Sequence, residues 1–258
     1  MDDMKAFLRE LAEAAAAQTL PRFRQAAYVT NKLESGFDPV TEADREAERA
    51  IRALIAARFP QHGVIGEEFG TTNPESENIW VIDPIDGTRA FISGIPLWGT
   101  LAGLTVGGKA VAGMMSQPFT GETFLADSTG TTYDGPGGPR SLRTRGTTLL
   151  SDATLCTTTP ALFTGAKRAA YDRLESKVRL ARYGTDCYAY CMLAAGHIDL
   201  VVETGLQPYD IVALVPIIEQ AGGVVTTSDG GPAEAGGEIV AAASAELHAA
   251  TLEVLNSG

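Results

Sequence analysis

The sequence predicts an α+β fold, in which β-sheets are layered with helices. In the first half of its 258 residues, short apolar runs alternate with glycine-rich turns, the pattern of antiparallel strands joined by hairpins. The second half alternates apolar runs of strand length with segments of helical periodicity. Sheets and helices that each carry one apolar face are expected to bury those faces against each other in layers.

Two helices are predicted before the first strand. Residues 4–17 carry Phe7, Leu8 and Leu11 at helical spacing among alanines. A second helix is expected from Thr41, an N-cap candidate followed by acidic residues, to about residue 58. Strands are then predicted at 64–65, 79–82, 98–106, 110–117, 122–126 and 131–133.

A segment rich in Gly, Pro, Ser, Thr and Arg, residues 134–148, is the candidate boundary inside the chain. We therefore expect a single domain, 1–258, with two subdomains of about 1–140 and 141–258. Beyond the boundary, strands are predicted at 177–181, 198–203, 224–227 and 238–243, and helices at 186–195, 210–221 and 245–255. The helix at 210–221 is apolar nearly all round and should be buried.

Charge and composition exclude several classes of partner. The formal net charge is −12 without a basic patch, which argues against nucleic acid. No apolar run approaches the roughly 20 residues that a membrane helix needs, and the acidic start MDDMKAFLRE does not resemble a secretory signal, so a cytoplasmic location is expected. Cys156, Cys187 and Cys191 lack zinc-site spacing and are expected to be buried thiols.

The segment IWVIDPIDGT, residues 79–88, is the strongest chemical signal. An apolar strand delivers Asp83 to its end, Pro84 should stop the ladder there, and Asp86 follows close enough to share a cation. Gly87 lets a ligand approach the backbone, and Thr88 opens a short helix whose free N–H groups could face a phosphate. Two carboxylates beside an anion site suit Mg²⁺. A plain Asp-Pro-Gly turn is the competing interpretation.

The spacing of the two aspartates separates two phosphatase chemistries. Phosphatases of the haloacid-dehalogenase type also end a strand on an Asp motif, but there the first of two more closely spaced aspartates is a covalent nucleophile. Asp83 and Asp86 are three positions apart, which favours two metal ligands.

Two further acidic positions could complete a metal site. Glu67 and Glu68 follow the apolar pair at 64–65, where a solvated loop is the alternative. Asp210 begins the buried helix, where an acid would also favour the helix dipole. An ionised Asp on so apolar a helix requires a partner, and a metal ion would serve.

These segments resemble the signatures of the inositol monophosphatase superfamily. The matching stretches are 63–70, 79–103 and 206–223, together with PVTEAD at 39–44, so the resemblance covers nearly the whole chain. It implies the layered α/β/α/β/α fold shared with fructose-1,6-bisphosphatase-like proteins, a homodimer, and hydrolysis of small phosphate monoesters by water that is activated by two or three Mg²⁺ ions.

The resemblance also implies a role for each matching residue. Glu67, Asp83 and the carbonyl of Ile85 would hold one Mg²⁺. A second would be held by Asp83, Asp86 and Asp210, and Glu67 would also contact a third, weaker ion. Asp44 and Thr88, with Glu67, would be catalytic by orienting and deprotonating water, although Asp44 could also complete a helix cap with Thr41. Asp86 and the N–H groups of Gly87 and Thr88 would bind substrate, and Lys32 would support the loop beside the site.

Three positions bear on the substrate. The superfamily typically has Trp where this chain has Tyr209, and a small apolar residue where it has Asp186, while Glu203 matches a residue that touches the substrate alcohol. Two carboxylates suit a cationic substrate. The sequence is similar to the histidinol-phosphatase branch, which implies hydrolysis of L-histidinol phosphate in histidine biosynthesis. The competing interpretation of Asp186 is an N-cap of the helix at 186–195.

Other functions stay open at this point. Inositol 1-phosphate and a broad range of sugar or polyol phosphates are the main alternative substrates. A 3′-phosphoadenosine phosphatase is less well supported because a basic adenylate pocket is not evident. A regulatory binding protein with residual phosphatase activity belongs to a different class, and Mg²⁺-dependent phosphate release would separate it from an enzyme.

Overall fold

The structure is a computed structural model that describes residues 4–25, 30–31 and 39–257, with the backbone alone at 30, 31, 39 and 40. Its helices in chain order are α1 (Met4–Thr19), α2 (Glu42–Arg58), α3 (Thr88–Ile92), α4 (Gly165–Glu175), α5 (Asp186–Ala194), α6 (Pro208–Ile211), α7 (Leu214–Glu219) and α8 (Ala245–Asn256). The predicted Thr41 cap is confirmed, since its hydroxyl accepts a hydrogen bond from the Ala43 N–H.

The described strands form three sheets. A two-stranded sheet pairs β1 (Thr30–Asn31) with β2 (Pro39–Val40). An eight-stranded sheet has the order β10-β9-β8-β7-β6-β5-β3-β4, with β3 (Gly63–Gly66), β4 (Gly70–Thr72), β5 (Asn78–Asp86), β6 (Gly99–Val106), β7 (Lys109–Gln117), β8 (Glu122–Asp127), β9 (Gly130–Asp134) and β10 (Arg140–Ser141). A five-stranded sheet has the order β12-β11-β13-β15-β14, with β11 (Thr154–Thr157), β12 (Leu180–Tyr183), β13 (Leu200–Leu206), β14 (Val224–Thr227) and β15 (Gly237–Ala242).

The two large sheets are layered with helices, which confirms the predicted fold class. Helices α1 and α2 bury their apolar faces against one face of the eight-stranded sheet. Helices α5, α6 and α7 fill the space between the two sheets, and α4 and α8 cover the outer face of the five-stranded sheet. None of the described helices is both long and apolar enough to span a membrane. The division into subdomains near residue 140 stays a prediction.

The expectation of one continuous helix over 210–221 is wrong. The chain forms α6 and α7, separated by a turn at Val212 and Ala213. Pro216 explains the break, because it has no N–H to bond the carbonyl of Val212 four residues earlier. The turn lies directly on the eight-stranded sheet: a Cβ added at Gly113 would come within 2.0 Å of the Ala213 carbonyl oxygen. The segment is buried, as predicted.

Two strand boundaries also differ from the prediction. The strand expected at 177–181 is β12, which starts at Leu180 because the N–H of Lys177 still bonds the end of α4 at Leu174. Strand β5 does not stop at Asp83. It continues past Pro84 to Asp86, with an irregularity in its pairing to β6 between the two aspartates. Strand β11 and helix α4 were not predicted, since neither segment has a strong apolar period.

Candidate active site

The irregular end of β5 brings three predicted metal ligands together. One carboxylate oxygen from each of Asp83, Asp86 and Asp210 lies within 4.8 Å of the other two. We call these three residues the acidic cluster. Asp83 and Asp86 come from one strand, and Asp210 comes from the first turn of α6, which approaches β5 from the layer between the sheets.

Hydrogen bonds between side chains and the backbone hold the strand end in this shape. The Ile85 N–H donates to Asp83 Oδ1 at 3.0 Å, and the Thr100 hydroxyl donates to the Pro84 carbonyl at 2.8 Å. The Ile85 carbonyl, a predicted metal ligand, accepts a hydrogen bond from the Thr88 hydroxyl at 3.1 Å. A carbonyl oxygen has two lone pairs, so this one keeps capacity for a second partner.

Burial and mutual repulsion make the acidic cluster unfavourable without a positive charge. Burial first, and then the negative charges of Glu67, Asp86 and Asp210, raise the pKa of Asp83 well above its usual value. Burial followed by the charges of Asp186 and Asp210 raises the pKa of Asp86 in the same way. Carboxylate oxygens converging at this spacing are the donor set that Mg²⁺ prefers, so the residues fit a divalent metal site.

Glu67 lies close to the cluster, and a residue that the sequence analysis missed fixes its loop. The side chain of Glu67 is within hydrogen-bonding reach of Asp83. Behind it, the fully buried carboxylate of Glu48 accepts hydrogen bonds from the N–H groups of Glu68 at 2.7 Å and Phe69 at 3.2 Å. A charged residue on the inward face of α2 was the signal that could have identified Glu48.

Asp44 completes the cap of α2 with one carboxylate oxygen, and its other oxygen does not take part in the cap. Its Oδ2 accepts from the Thr41 N–H at 2.8 Å and the Thr41 hydroxyl at 2.6 Å. Its Oδ1 is buried and lacks a hydrogen-bond partner among the described residues. Burial raises the pKa of Asp44 to about 7, against the opposing Thr41 bonds. The cap that the sequence allowed is therefore present, and within the described part of the chain it uses only one of the two Asp44 oxygens.

A cleft of about 460 Å³ opens beside the acidic cluster. Gly87 and Thr88, the predicted phosphate-binding positions, lie on its wall, and Gly87 has a φ of 80°, which glycine adopts without strain. Asp186 and Glu203 lie on the wall as well. The structure thus brings the predicted phosphate-binding and alcohol-facing residues to one cleft. Lys32 lies outside the described residues.

Glu203 is held by two threonines that the sequence analysis did not identify. Its Oε1 accepts from the Thr158 N–H at 2.5 Å and the Thr158 hydroxyl at 3.0 Å, and its Oε2 accepts from the Thr157 hydroxyl at 3.1 Å. Burial outweighs these bonds and raises the pKa of Glu203 to about 7.

Asp186 does not cap α5 as the alternative interpretation proposed. Its Oδ1 lies 3.1 Å from the same Thr158 hydroxyl, whose single proton is shared between Asp186 and Glu203. Burial raises the pKa of Asp186 although Thr158 and the charge of Arg89 oppose this. The N-cap residue is Thr185, and Asp86 on β5 supplies the acceptor instead: its Oδ2 accepts from the Cys187 N–H at 2.8 Å. We call Asp186 and Glu203 the carboxylate pair, because Thr158 joins them.

Comparison with known proteins gives consistent matches. Residues 1–257 match the inositol monophosphatase family. The chain is 38% identical to the bifunctional phosphatase IMPL2, chloroplastic, of Arabidopsis thaliana, covering 99% of this chain and 75% of that protein. It is 36% identical to a histidinol-phosphatase of Chlorobaculum parvum, covering 83% and 82%.

Solved structures agree with the sequence matches. An inositol monophosphatase from Zymomonas mobilis superposes with a TM-score of 0.87 at 38% identity, covering 98% of both chains. This likeness confirms the predicted layered fold. The chain therefore belongs to the inositol monophosphatase family and is a phosphomonoesterase of that family.

Proposed function

We propose that this phosphomonoesterase hydrolyses L-histidinol phosphate to L-histidinol and phosphate and depends on Mg²⁺. The observation that carries the proposal is the carboxylate pair on the cleft wall beside the acidic cluster. Such a wall favours a substrate whose organic part carries positive charge, and the amine of histidinol phosphate supplies it. The relative from Chlorobaculum parvum, named a histidinol-phosphatase, supports the same substrate.

The chain's own residues divide the work between them. Glu67, the acidic cluster and the Ile85 carbonyl would hold two or three Mg²⁺ ions. When bound, Mg²⁺ neutralises phosphate oxygens, lowers the pKa of water and stabilises the leaving alkoxide. Asp44 Oδ1, which lacks a hydrogen-bond partner among the described residues, is suited to accept a proton from the attacking water, and N–H groups of Gly87 and Thr88 would orient the phosphate.

Inositol 1-phosphate is the second candidate substrate. It is favoured by the solved inositol monophosphatase from Zymomonas mobilis, which shares 38% of its sequence with this chain. Glu203 could accept a hydrogen bond from a polyol hydroxyl as well as from an amine. Asp186, however, adds a second negative charge to the wall that a neutral polyol does not match.

The two substrates can be separated by kcat/KM with Mg²⁺ present and after its removal by a chelator. We expect a kcat/KM for L-histidinol phosphate at least about tenfold above that for inositol 1-phosphate, since a charged hydrogen bond contributes on that scale. Comparable values would overturn the substrate and leave the reaction class intact. Full activity after chelation would overturn the Mg²⁺ requirement.

A further inference from the structure

A small pocket lies at the floor of the cleft and is lined by the same acids. Its volume is about 30 Å³, and it shares Asp86, Asp186, Glu203 and Asp210 with the cleft. It adds Tyr190 from the middle of α5 to this lining. This floor pocket has room for a group the size of one water molecule and is too small for a ring.

The hydroxyl of Tyr190 is the unusual feature of the floor pocket. Tyr190 is 2% exposed, and its hydroxyl lacks a hydrogen-bond partner among the described residues. Burial, and then the charges of Glu203, Asp86 and Asp210, raise the pKa of Tyr190, so the phenol stays neutral. A buried hydroxyl without a partner is costly, and its oxygen can both donate and accept.

Glu203 lines the same pocket and keeps an acceptor position open. Its Oε1 already accepts two hydrogen bonds from Thr158, whereas Oε2 accepts one from Thr157. A carboxylate oxygen can accept two, so one acceptor position on Oε2 remains. The floor pocket is therefore lined by a phenol oxygen and a carboxylate oxygen that each keep an open hydrogen-bonding position among the described residues, and by Asp186, an acid without a role in the metal site.

We propose that Tyr190 is a specificity-determining residue whose hydroxyl, together with Glu203, binds the primary ammonium group of an amino-alcohol phosphate in the floor pocket. The inference rests on the proposed function and names the subsite that discriminates the substrate. An ammonium group has three protons, so it can serve Glu203, Tyr190 and a further acceptor at once, whereas a hydroxyl has one. The imidazole of histidinol phosphate stays in the larger cleft.

The test removes the amine from the substrate and the Tyr190 hydroxyl from the enzyme. L-Histidinol phosphate is compared with its deamino analogue, 3-(imidazol-4-yl)propyl phosphate, in the unaltered enzyme and in Tyr190→Phe. We expect the substitution to lower kcat/KM for L-histidinol phosphate about tenfold, through KM, and to leave the deamino analogue within about twofold. The ratio of the two values within one variant does not depend on the fraction of folded enzyme.

Tyr188→Phe is the matched control. Tyr188 lies on the same helix, but its hydroxyl donates to Glu122 at 2.7 Å, away from the cleft. This variant should keep the substrate ratio of the unaltered enzyme.

Two results would overturn the inference. An unchanged substrate ratio in Tyr190→Phe would remove Tyr190 from recognition of the amine; equal losses on both substrates would then mean that the hydroxyl supports the metal site or a structural water. The same shift of the ratio in Tyr188→Phe would show that the effect is not specific to Tyr190. The proposed function fails separately, if the unaltered enzyme itself does not prefer the substrate that carries the amine.

Discussion

The two acidic groups of the cleft are built in opposite ways. The acidic cluster takes two of its three members from four consecutive residues of β5, and burial, followed by repulsion from neighbouring carboxylates, raises the pKa of Asp83 and Asp86. The carboxylate pair comes from α5 and β13, and threonine hydroxyls hold both members. Most of the cluster is thus supplied by one strand end, whose negative charge a cation would offset, whereas the pair is assembled by the tertiary fold and held by hydrogen bonds.

The difference teaches where reaction and specificity are encoded. A short run, Asp83 to Thr88, brings together several of the groups suited to phosphate and metal, and Glu67 and Asp210 add to them from other elements. The pair depends on contacts between distant residues, such as Thr158 and Glu203, which are 45 positions apart. Asp86 links the two groups, because it belongs to the cluster and also accepts the Cys187 N–H of α5 beside Asp186.

The largest effect should come from breaking the cluster. Asp83→Asn should lower kcat by about a thousandfold or more, because several kcal/mol of charge stabilisation by the metal would be lost. The same change removes a buried charge that its neighbours repel, so Tm without added Mg²⁺ should hold or rise. Phosphate-release assays and thermal melts with and without Mg²⁺ test both halves. A near-normal kcat would refute the metal role of Asp83.

Asp44 should show the next largest effect. Asp44→Asn keeps an oxygen for the Thr41 cap but removes the basic carboxylate, so kcat should fall about 10²- to 10³-fold with little change in KM. Steady-state kinetics with saturating Mg²⁺ measures this.

Thr41→Ala is the matched control for the cap. It should cost about 1 kcal/mol of unfolding free energy and reduce kcat far less than Asp44→Asn does. If Thr41→Ala impairs kcat as strongly, Asp44 acts through the helix cap and is not a base.

The same contrast explains what could be predicted from the sequence. The cluster was predictable because Asp83 and Asp86 are neighbours along the chain and Asp210 lies in a recognisable motif. The layers were predictable because apolar periods mark most helices and strands. Thr158 and Glu48 were not, since their roles arise from partners that only the folded chain brings near. The break at 212–213 was missed because the apolar pattern continues through Pro216.

The carboxylate pair should control substrate choice more than rate. Asp186→Ala should raise KM for L-histidinol phosphate about tenfold and change KM for inositol 1-phosphate far less, because the neutral polyol does not use the charge. Thr158→Ser retains the hydroxyl that reaches both carboxylates and serves as control. An equal rise in KM for both substrates would show that Asp186 shapes the cleft and does not bind the substrate amine.

The smallest effect concerns stability and pH. Burial raises the pKa of Glu203 from 4.5 to about 7, so between these values the folded protein holds a proton that the unfolded chain has released. The unfolding free energy should therefore fall as pH rises across this interval, and Glu203→Gln should make that fall shallower. Urea denaturation at several pH values, without added Mg²⁺, measures the slope for each protein. Because each variant is compared with itself across pH, any constant cost of the amide cancels. Identical slopes would mean that Glu203 titrates alike in the folded and unfolded states, and that the threonines offset its burial completely.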